Sequence, residues 1–173
     1  LKEESAETIA ILNHRGFETI LLTGDLHSTA ERANETLQIK HVFSEVNPDQ
    51  KLLLLKDFQR KFGPTAMVGD GVNDAPAIAA ADIGMAMAKG TDAAMGAASM
   101  ILMADSPLQV ISAIDISRAT YRKIKQNLFW AFFYNAIGIP LASAGLLNPM
   151  IAAAAMALSS LSVVTNSLLL GRL

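Results

Sequence analysis

Two carboxylates and two glycines fall within six residues at Gly69-Asp70-Gly71-Val72-Asn73-Asp74, directly after the apolar run Thr65-Ala66-Met67-Val68. Glycine lets a backbone turn sharply and approach a ligand closely, and Asp supplies the hard oxygens that Mg²⁺ takes. Such a loop suits Mg²⁺ and a phosphate. Two further segments carry compatible chemistry, Thr23-Gly24-Asp25 and Lys51, which follows Pro48 by three residues. Taken singly each is ambiguous, because Thr-Gly-Asp also makes an ordinary turn and a helical Lys is also an ordinary solvated residue. A different chemistry is available at Tyr134-Asn135 and at Met156-Ala157-Leu158-Ser159-Ser160. The Met thioether is a soft sulfur donor. Without further context the same residues are helix-packing groups, with Ser fitting between helices, Met filling gaps and Tyr donating one interhelical hydrogen bond.

The elements that must position these residues can be read from periodicity and turn signals. Ala6, Ile9, Ala10 and Leu12 share one face of a helix that stops at Gly16, a usual helix end. Phe17 to Thr23 is a short apolar strand broken by Gly24-Asp25, and Ser28 or Thr29 is expected to cap a helix reaching Leu37. His41 to Ser44 is a second strand. Pro48 opens a helix through Lys61 that ends at Gly63-Pro64, and Thr65 to Val68 is the third strand. The alternation continues through Asp74 to Ala81, Ile83 to Ala86, Thr91 to Ala97 and Ser99 to Met103. It predicts an α/β fold, a parallel sheet with helices on both faces, in which ligands gather at the carboxyl ends of the strands. Both Thr23-Gly24-Asp25 and the Gly69 to Asp74 loop lie at such ends.

Composition separates the chain into unlike halves. Its 173 residues are 51% hydrophobic with a mean hydropathy of +0.34, and the excess is concentrated after residue 125, since Gln126 to Gly171 contains no charged residue. A bilayer-crossing helix needs about 20 apolar residues, and the stretch divides at Asn148-Pro149 into segments near 127–146 and 150–170. Arg118, Arg122, Lys123 and Lys125 cluster just before it, which places that flank on the cytoplasmic side. A buried hairpin in a soluble bundle is the alternative reading. The expected organisation is residues 1–106 as an α/β domain, 107–125 as a juxtamembrane helix and 126–173 as two transmembrane helices, with residues 1–125 cytoplasmic. A net charge of −2 gives no reason to expect a nucleic-acid partner, and zero cysteines exclude disulfides and thiolate sites. Residues 1 to 15 are charged and amphipathic rather than a signal peptide, and a start at Leu1 inside a helical pattern suggests a piece of a longer protein.

The three polar segments, in this order and at strand ends, resemble the later motifs of the haloacid-dehalogenase-like catalytic domain. Val68-Gly69-Asp70-Gly71-Val72-Asn73-Asp74-Ala75-Pro76-Ala77 resembles the hinge motif of P-type ATPases. Tyr-Asn followed by Met-x-x-Ser-Ser is similar to the signature of the copper(I)-transporting subgroup of the heavy-metal P-type ATPases. By this resemblance Lys51 contacts an acyl phosphate, Thr23 and the Gly24 amide hold its oxygens, and Asn73 adds a donor. Asp70 ligates Mg²⁺ with Asp74 beside it, either near the metal or ordering the loop, and Asp25 fixes its own loop. Tyr134, Asn135, Met156 and Ser160 hold the transported Cu(I), and Ag(I) fits the same set. No Asp stands in the last apolar segment, where the resemblance would place one in a zinc or cadmium pump.

The resemblance also defines what must lie elsewhere. An Asp-Lys-Thr-Gly segment with the phosphorylated Asp, the nucleotide-binding and actuator domains and a Cys-Pro-Cys element are expected upstream, so this piece alone is expected to be inactive. ATP is the implied phosphate donor. The implied partners are the rest of the same ATPase, membrane lipid and a copper chaperone. Ala88-Lys89-Gly90 and Gly96 depart from the family's usual wording and are expected to lie away from the ligands, and His14, His27 and His41 are expected to be surface or capping residues. A membrane-anchored phosphatase would need an Asp-x-Asp pair that is not found, and a non-catalytic truncated paralogue is the third reading.

Overall fold

The computed structural model describes residues 1–145 and 148–169. The expected segment ends at 146 and 170, with Gly171 and Arg172, lie outside the described residues. The chain forms two compact units, Leu1–Ser112 and Ala113–Leu173.

The first unit alternates helix and strand as its sequence pattern requires. Its elements are α1 (Ser5–His14), β1 (Ile20–Leu22), α2 (His27–Leu37), β2 (His41–Phe43), α3 (Pro48–Phe62), β3 (Ala66–Gly69), a 3₁₀ turn (Val72–Asp74), α4 (Ala75–Ala80), β4 (Ile83–Met87), α5 (Asp92–Ala97) and β5 (Met100–Leu102). The best-defined start is that of α3. Asn47 Oδ1 accepts from the Gln50 amide and Gln50 Oε1 accepts from the Asn47 amide, both at 2.9 Å, with Pro48 in the first turn. This reciprocal cap satisfies two backbone donors that the helix itself cannot. Lys51 and Leu55, one turn apart, are its buried residues, and Phe58 on the same helix meets the Phe43 ring at 5.4 Å. The expected cap of α2 is corrected. Leu26 occupies the capping position without a side-chain bond, and its carbonyl accepts the Thr29 and Ala30 amides. Backbone turn geometry begins this helix earlier than any Ser or Thr side chain could.

All strand pairs are parallel, but they form two sheets, β1-β2 and β3-β4-β5. β4 is paired on both sides, and four of its five residues are buried. β3 is paired on one side only and leaves Ala66 and Val68 exposed, unusual for a parallel strand, which is ordinarily covered. Ile78, Ala86 and Ala94 form a core against which Met67, Met95, Ala97 and Ala98 pack. Gly84 is required here, because a Cβ at that position would stand 2.3 Å from the Ile78 carbonyl oxygen. α4 can therefore rest directly on β4.

The second unit consists of helical hairpin arms. α6 (Leu108–Ser143) begins in the first unit and runs unbroken through the expected juxtamembrane helix into the apolar stretch; α7 (Pro149–Leu168) is capped by Asn148, whose side chain accepts the Met150 amide at 2.9 Å. Lys123, Asn127, Ala131, Tyr134 and Gly138 are half-buried at intervals of three or four residues, and Ala155, Ser159, Ser162, Val163 and Asn166 make the matching stripe on α7. Most remaining large side chains are uncovered, among them Phe129 at 59%, Phe132 at 66%, Ile139 at 67% and Leu158 at 58%. Among the described residues, no helix is long and apolar enough to cross a membrane. The expected spans near 127–146 and 150–170 each reach past the described residues.

Candidate functional site

The Gly69 to Asp74 loop leaves β3 and closes on itself before α4. Asp74 is its organiser: Oδ2 accepts the Gly71 amide at 3.3 Å and Oδ1 accepts the Lys51 ammonium at 2.7 Å. A Cβ at Gly69 would approach the Asp74 Cβ to 2.7 Å, so only glycine allows the carboxylate to fold back over the strand end. The Lys51 and Asp74 side chains are 10% and 15% exposed. Little water screens this pair, and a charge-assisted bond of that length fixes both side chains.

With Asp74 committed to Lys51 and Gly71, Asp70 is the carboxylate left open. It is exposed, and no described residue hydrogen-bonds its side chain. Its backbone is held instead, because the Asp70 carbonyl accepts the Thr91 amide at 2.8 Å and a Cβ at Gly90 would stand 2.8 Å from that same oxygen. Gly90 therefore lies against the loop it was expected to avoid. Its neighbour Lys89 points a salt bridge at Asp105, 3.2 Å away, which anchors the Ala88-Lys89-Gly90 segment. A close backbone approach leaves no signal in sequence beyond an isolated glycine after a strand, which is why Gly90 escapes a reading based on side-chain chemistry.

Thr23 and Gly24 occupy the end of β1. The Thr23 hydroxyl donates to Asp25 Oδ2 at 2.9 Å and accepts the Asp25 amide at 3.1 Å, so Asp25 braces the loop. The Thr23 carbonyl accepts the Val46 amide at 3.0 Å, one residue before the cap of α3, and the Asn47 carbonyl in turn accepts the Lys51 amide at 2.9 Å. A short run of backbone bonds thus ties Thr23 to the turn bearing Lys51. Asn73 is exposed on the turn between Asp70 and Asp74.

An exposed carboxylate beside a nearly buried ammonium on a glycine-rich loop forms a set that fits Mg²⁺ together with a phosphate. Mg²⁺ keeps several waters and takes one or two carboxylates, which Asp70 can supply alone from this chain. Among the described residues no three His, Cys, Asp or Glu side chains gather into a metal centre of their own. A metal here would need its remaining ligands from water, phosphate or residues beyond this chain.

In the second unit the side-chain hydrogen bonds of Asn135 and Ser160, two of the expected soft-metal residues, stay within single helices. Asn135 donates to the Ala131 carbonyl at 2.9 Å and Ser160 to the Met156 carbonyl at 3.2 Å, both within their own helices. Tyr134 lies on the half-buried stripe beside the Trp130 and Phe133 rings, while Met156 is 70% exposed.

The profile of the haloacid dehalogenase-like hydrolases matches residues 1–82. A copper-exporting P-type ATPase of Vibrio cholerae serotype O1 is 47% identical over 96% of the chain, and a probable copper-importing P-type ATPase A of Enterococcus hirae is 46% identical over 99%. The chain spans 19% and 24% of those two proteins, so it matches a quarter or less of each. A crystal structure of a zinc-transporting PIB-type ATPase in the E2.Pi state superposes with a TM-score of 0.92 at 32% identity, over 98% of this chain and 28% of that one. With the hinge-like loop, its paired lysine and these likenesses over nearly its full length, the chain belongs to the heavy-metal branch of the P-type ATPases.

Proposed function

We propose that the chain is the C-terminal part of a copper(I)-exporting P-type ATPase that couples ATP hydrolysis, through an aspartyl-phosphate, to metal movement across a membrane. The observation that carries the catalytic half is the Lys51–Asp74 pair, which holds the loop so that Asp70 alone stays open. Asp70 would hold Mg²⁺, which neutralises charge on the phosphoryl group. Lys51, the Thr23 hydroxyl, the Gly24 amide and Asn73 would bind and orient the phosphoryl oxygens, and catalysis of this kind is chiefly positioning and charge stabilisation. Asp74 acts by ordering the loop, both its oxygens being engaged. The nucleophilic Asp comes from outside this chain. β1 and β3 each have one unpaired edge, and a single parallel strand entering between them would unite the two sheets and bring a carboxylate to the ends where Thr23 and Asp70 lie.

The transport half rests on composition and likeness. α6 and α7 expose large apolar side chains along most of their length and carry no charged residue from Gln126 to Gly171, which suits lipid and further helices of the same protein. The basic cluster from Arg118 to Lys125 sets the cytoplasmic flank. Tyr134, Asn135, Met156 and Ser160 would meet Cu(I) together with ligands from helices beyond this chain, since Asn135, Met156 and Ser160 lie outside the half-buried stripes. A neutral ligand set with a thioether favours a soft monovalent ion over Zn²⁺. Ag(I) is the second reading, on the same ligands.

In the complete protein, Asp70→Ala should abolish phosphoenzyme formation from Mg²⁺-ATP, and ordinary phosphorylation would refute its role. Met156→Ala should remove Cu(I)-dependent phosphorylation by ATP while phosphorylation by inorganic phosphate persists. Undiminished copper activation in that variant would remove the transport site, and activation by Zn²⁺ in place of Cu(I) or Ag(I) would reassign the cargo.

A further inference from the structure

One end of the helical hairpin carries a polar cluster of which the proposed function uses only the charge of Lys123. Lys123 Nζ donates to Asn166 Oδ1 at 2.7 Å, Asn166 Nδ2 donates to Asn127 Oδ1 at 2.8 Å and to Gln126 Oε1 at 3.3 Å, and Asn127 Nδ2 donates to Ser167 Oγ at 2.8 Å. Asn166 is the hub. Only an amide can serve there, because it accepts from the ammonium and donates to two neighbours at once, whereas a carboxylate could only accept and an apolar residue could do neither. Lys123, Gln126 and Asn127 stand three and four residues apart and so present one face of α6 to that hub.

Further along, polar side chains satisfy themselves locally. Asn135, Ser160, Ser162 and Thr165 donate to carbonyls of their own helices. The alanines, leucines and serines of these arms present similar surfaces at successive positions, so they specify sliding and rotation weakly. The cluster specifies both. Each helix rises about 1.5 Å per residue, so equal counts from the cluster reach equal depth. Seven residues inward from Asn127 is Tyr134, and seven inward from Asn166 and Ser167 are Ser159 and Ser160.

We propose that the Lys123–Asn127–Asn166 cluster is a register lock, a set of positioning residues that brings Tyr134 level with Ser159 and Ser160. The proposal rests on the transport-site reading above and deepens it. A slip of one residue would move one arm by about 1.5 Å and turn its side chains by about 100°. Metal coordination tolerates roughly 0.5 Å, so such a slip empties the ligand set without unfolding either helix. Asn166 touches no metal in this scheme and acts only through the register it imposes.

The test uses the complete protein in membranes. Asn166→Leu removes three bonds at nearly constant volume, and it should raise the Cu(I) concentration for half-maximal phosphorylation by ATP about tenfold, with phosphorylation by inorganic phosphate retained. Cysteines placed at Ala131 and Ser162, four residues inward from Asn127 and Asn166, report the register directly. Their cross-link, identified by mass spectrometry, should form in the otherwise native protein and fall sharply with Asn166→Leu. Unchanged copper dependence together with an unchanged cross-link overturns the proposal. Should Asn166→Leu also lose phosphorylation by inorganic phosphate, Lys123→Met decides: a rise in the copper requirement of about threefold supports the lock, and no rise overturns it. Met156→Ala keeps the two ideas apart, because copper activation surviving there defeats the transport site, whereas its loss there with none of these changes at Asn166 or Lys123 defeats only the lock.

Discussion

In the first unit the Lys51 ammonium meets the Asp74 carboxylate at 2.7 Å with both side chains nearly buried, whereas in the second the Lys123 ammonium meets the neutral Asn166 oxygen at the same 2.7 Å. Equal distances conceal different tasks. A carboxylate answers Lys51 in full, so the pair carries no net charge and Asp70 is left as the open carboxylate of the loop. An amide answers Lys123 only in part, so that cluster keeps a positive charge at the start of an uncharged stretch. Charge pairing suits a site that must hold one shape against a highly charged ligand. Amide networks suit helices that must hold a register while their other faces stay apolar.

Removing each lysine breaks the comparison most directly. Lys51→Met should destabilise the complete protein's phosphorylation domain by about 3 kcal/mol, because Asp74 would be left charged, nearly buried and unpaired. Phosphoenzyme formation should be lost as well. Lys123→Met should cost only about 1 kcal/mol, since Asn166 is neutral and keeps its bonds to Gln126 and Asn127. Denaturant unfolding of each variant measures the difference. Adding Asp74→Leu to Lys51→Met should recover part of the loss, and no recovery would show that packing rather than charge governs the site.

Gly90→Ala sharpens the contrast by disturbing the first site without touching a charge. The new methyl would fall 2.8 Å from the Asp70 carbonyl and 2.9 Å from the Met87 carbonyl, both backbone atoms that cannot rotate aside. Crowding of this kind costs about 1–3 kcal/mol. The Mg²⁺ concentration needed for phosphorylation should rise as Asp70 shifts, and an unchanged requirement with intact stability would mean that the Gly90 contact does not set the Asp70 position.

The contrast also explains what the sequence discloses. The alternation of helix and strand, the Asn47-Pro48 start of α3 and the Asp-rich loop follow local rules that a short window contains. Lys51 can be singled out on its own, but its partner cannot, because Asp74 lies 23 residues away and reaches it only after β3 and the 3₁₀ turn have formed. The division into two sheets has a similar origin. Strand periodicity identifies β1 and β3 but does not say which strands neighbour them. Asn166 is hidden for a third reason: an Asn near a helix end reads as a terminus, and its role depends on three residues of another helix. Gly90 shows the same limit, since its meaning is a distance to the Asp70 backbone.

The smallest effect belongs to an exposed carboxylate that resembles Asp74 in its bonding but not in its burial. Asp82 accepts the Thr65 amide at 2.8 Å and the Gln59 amide group at 3.0 Å, joining α3 to the start of β3 at the edge far from the loop. The Thr65 backbone bond, followed by the Gln59 bond, holds its carboxyl below the usual range. A group whose folded value is depressed contributes stability above its unfolded value and loses it as pH falls through the folded one. Asp82→Asn should therefore leave the protein nearly unchanged in strong acid and slightly less stable at neutral pH, flattening part of the acid limb of the stability profile. Glu18 and Asp105 are lowered too, by Lys40 and by Lys2 respectively, so the wild-type slope will not vanish. If Asp82→Asn destabilised as strongly as Lys51→Met, burial could not be what separates Asp74 from its exposed counterpart.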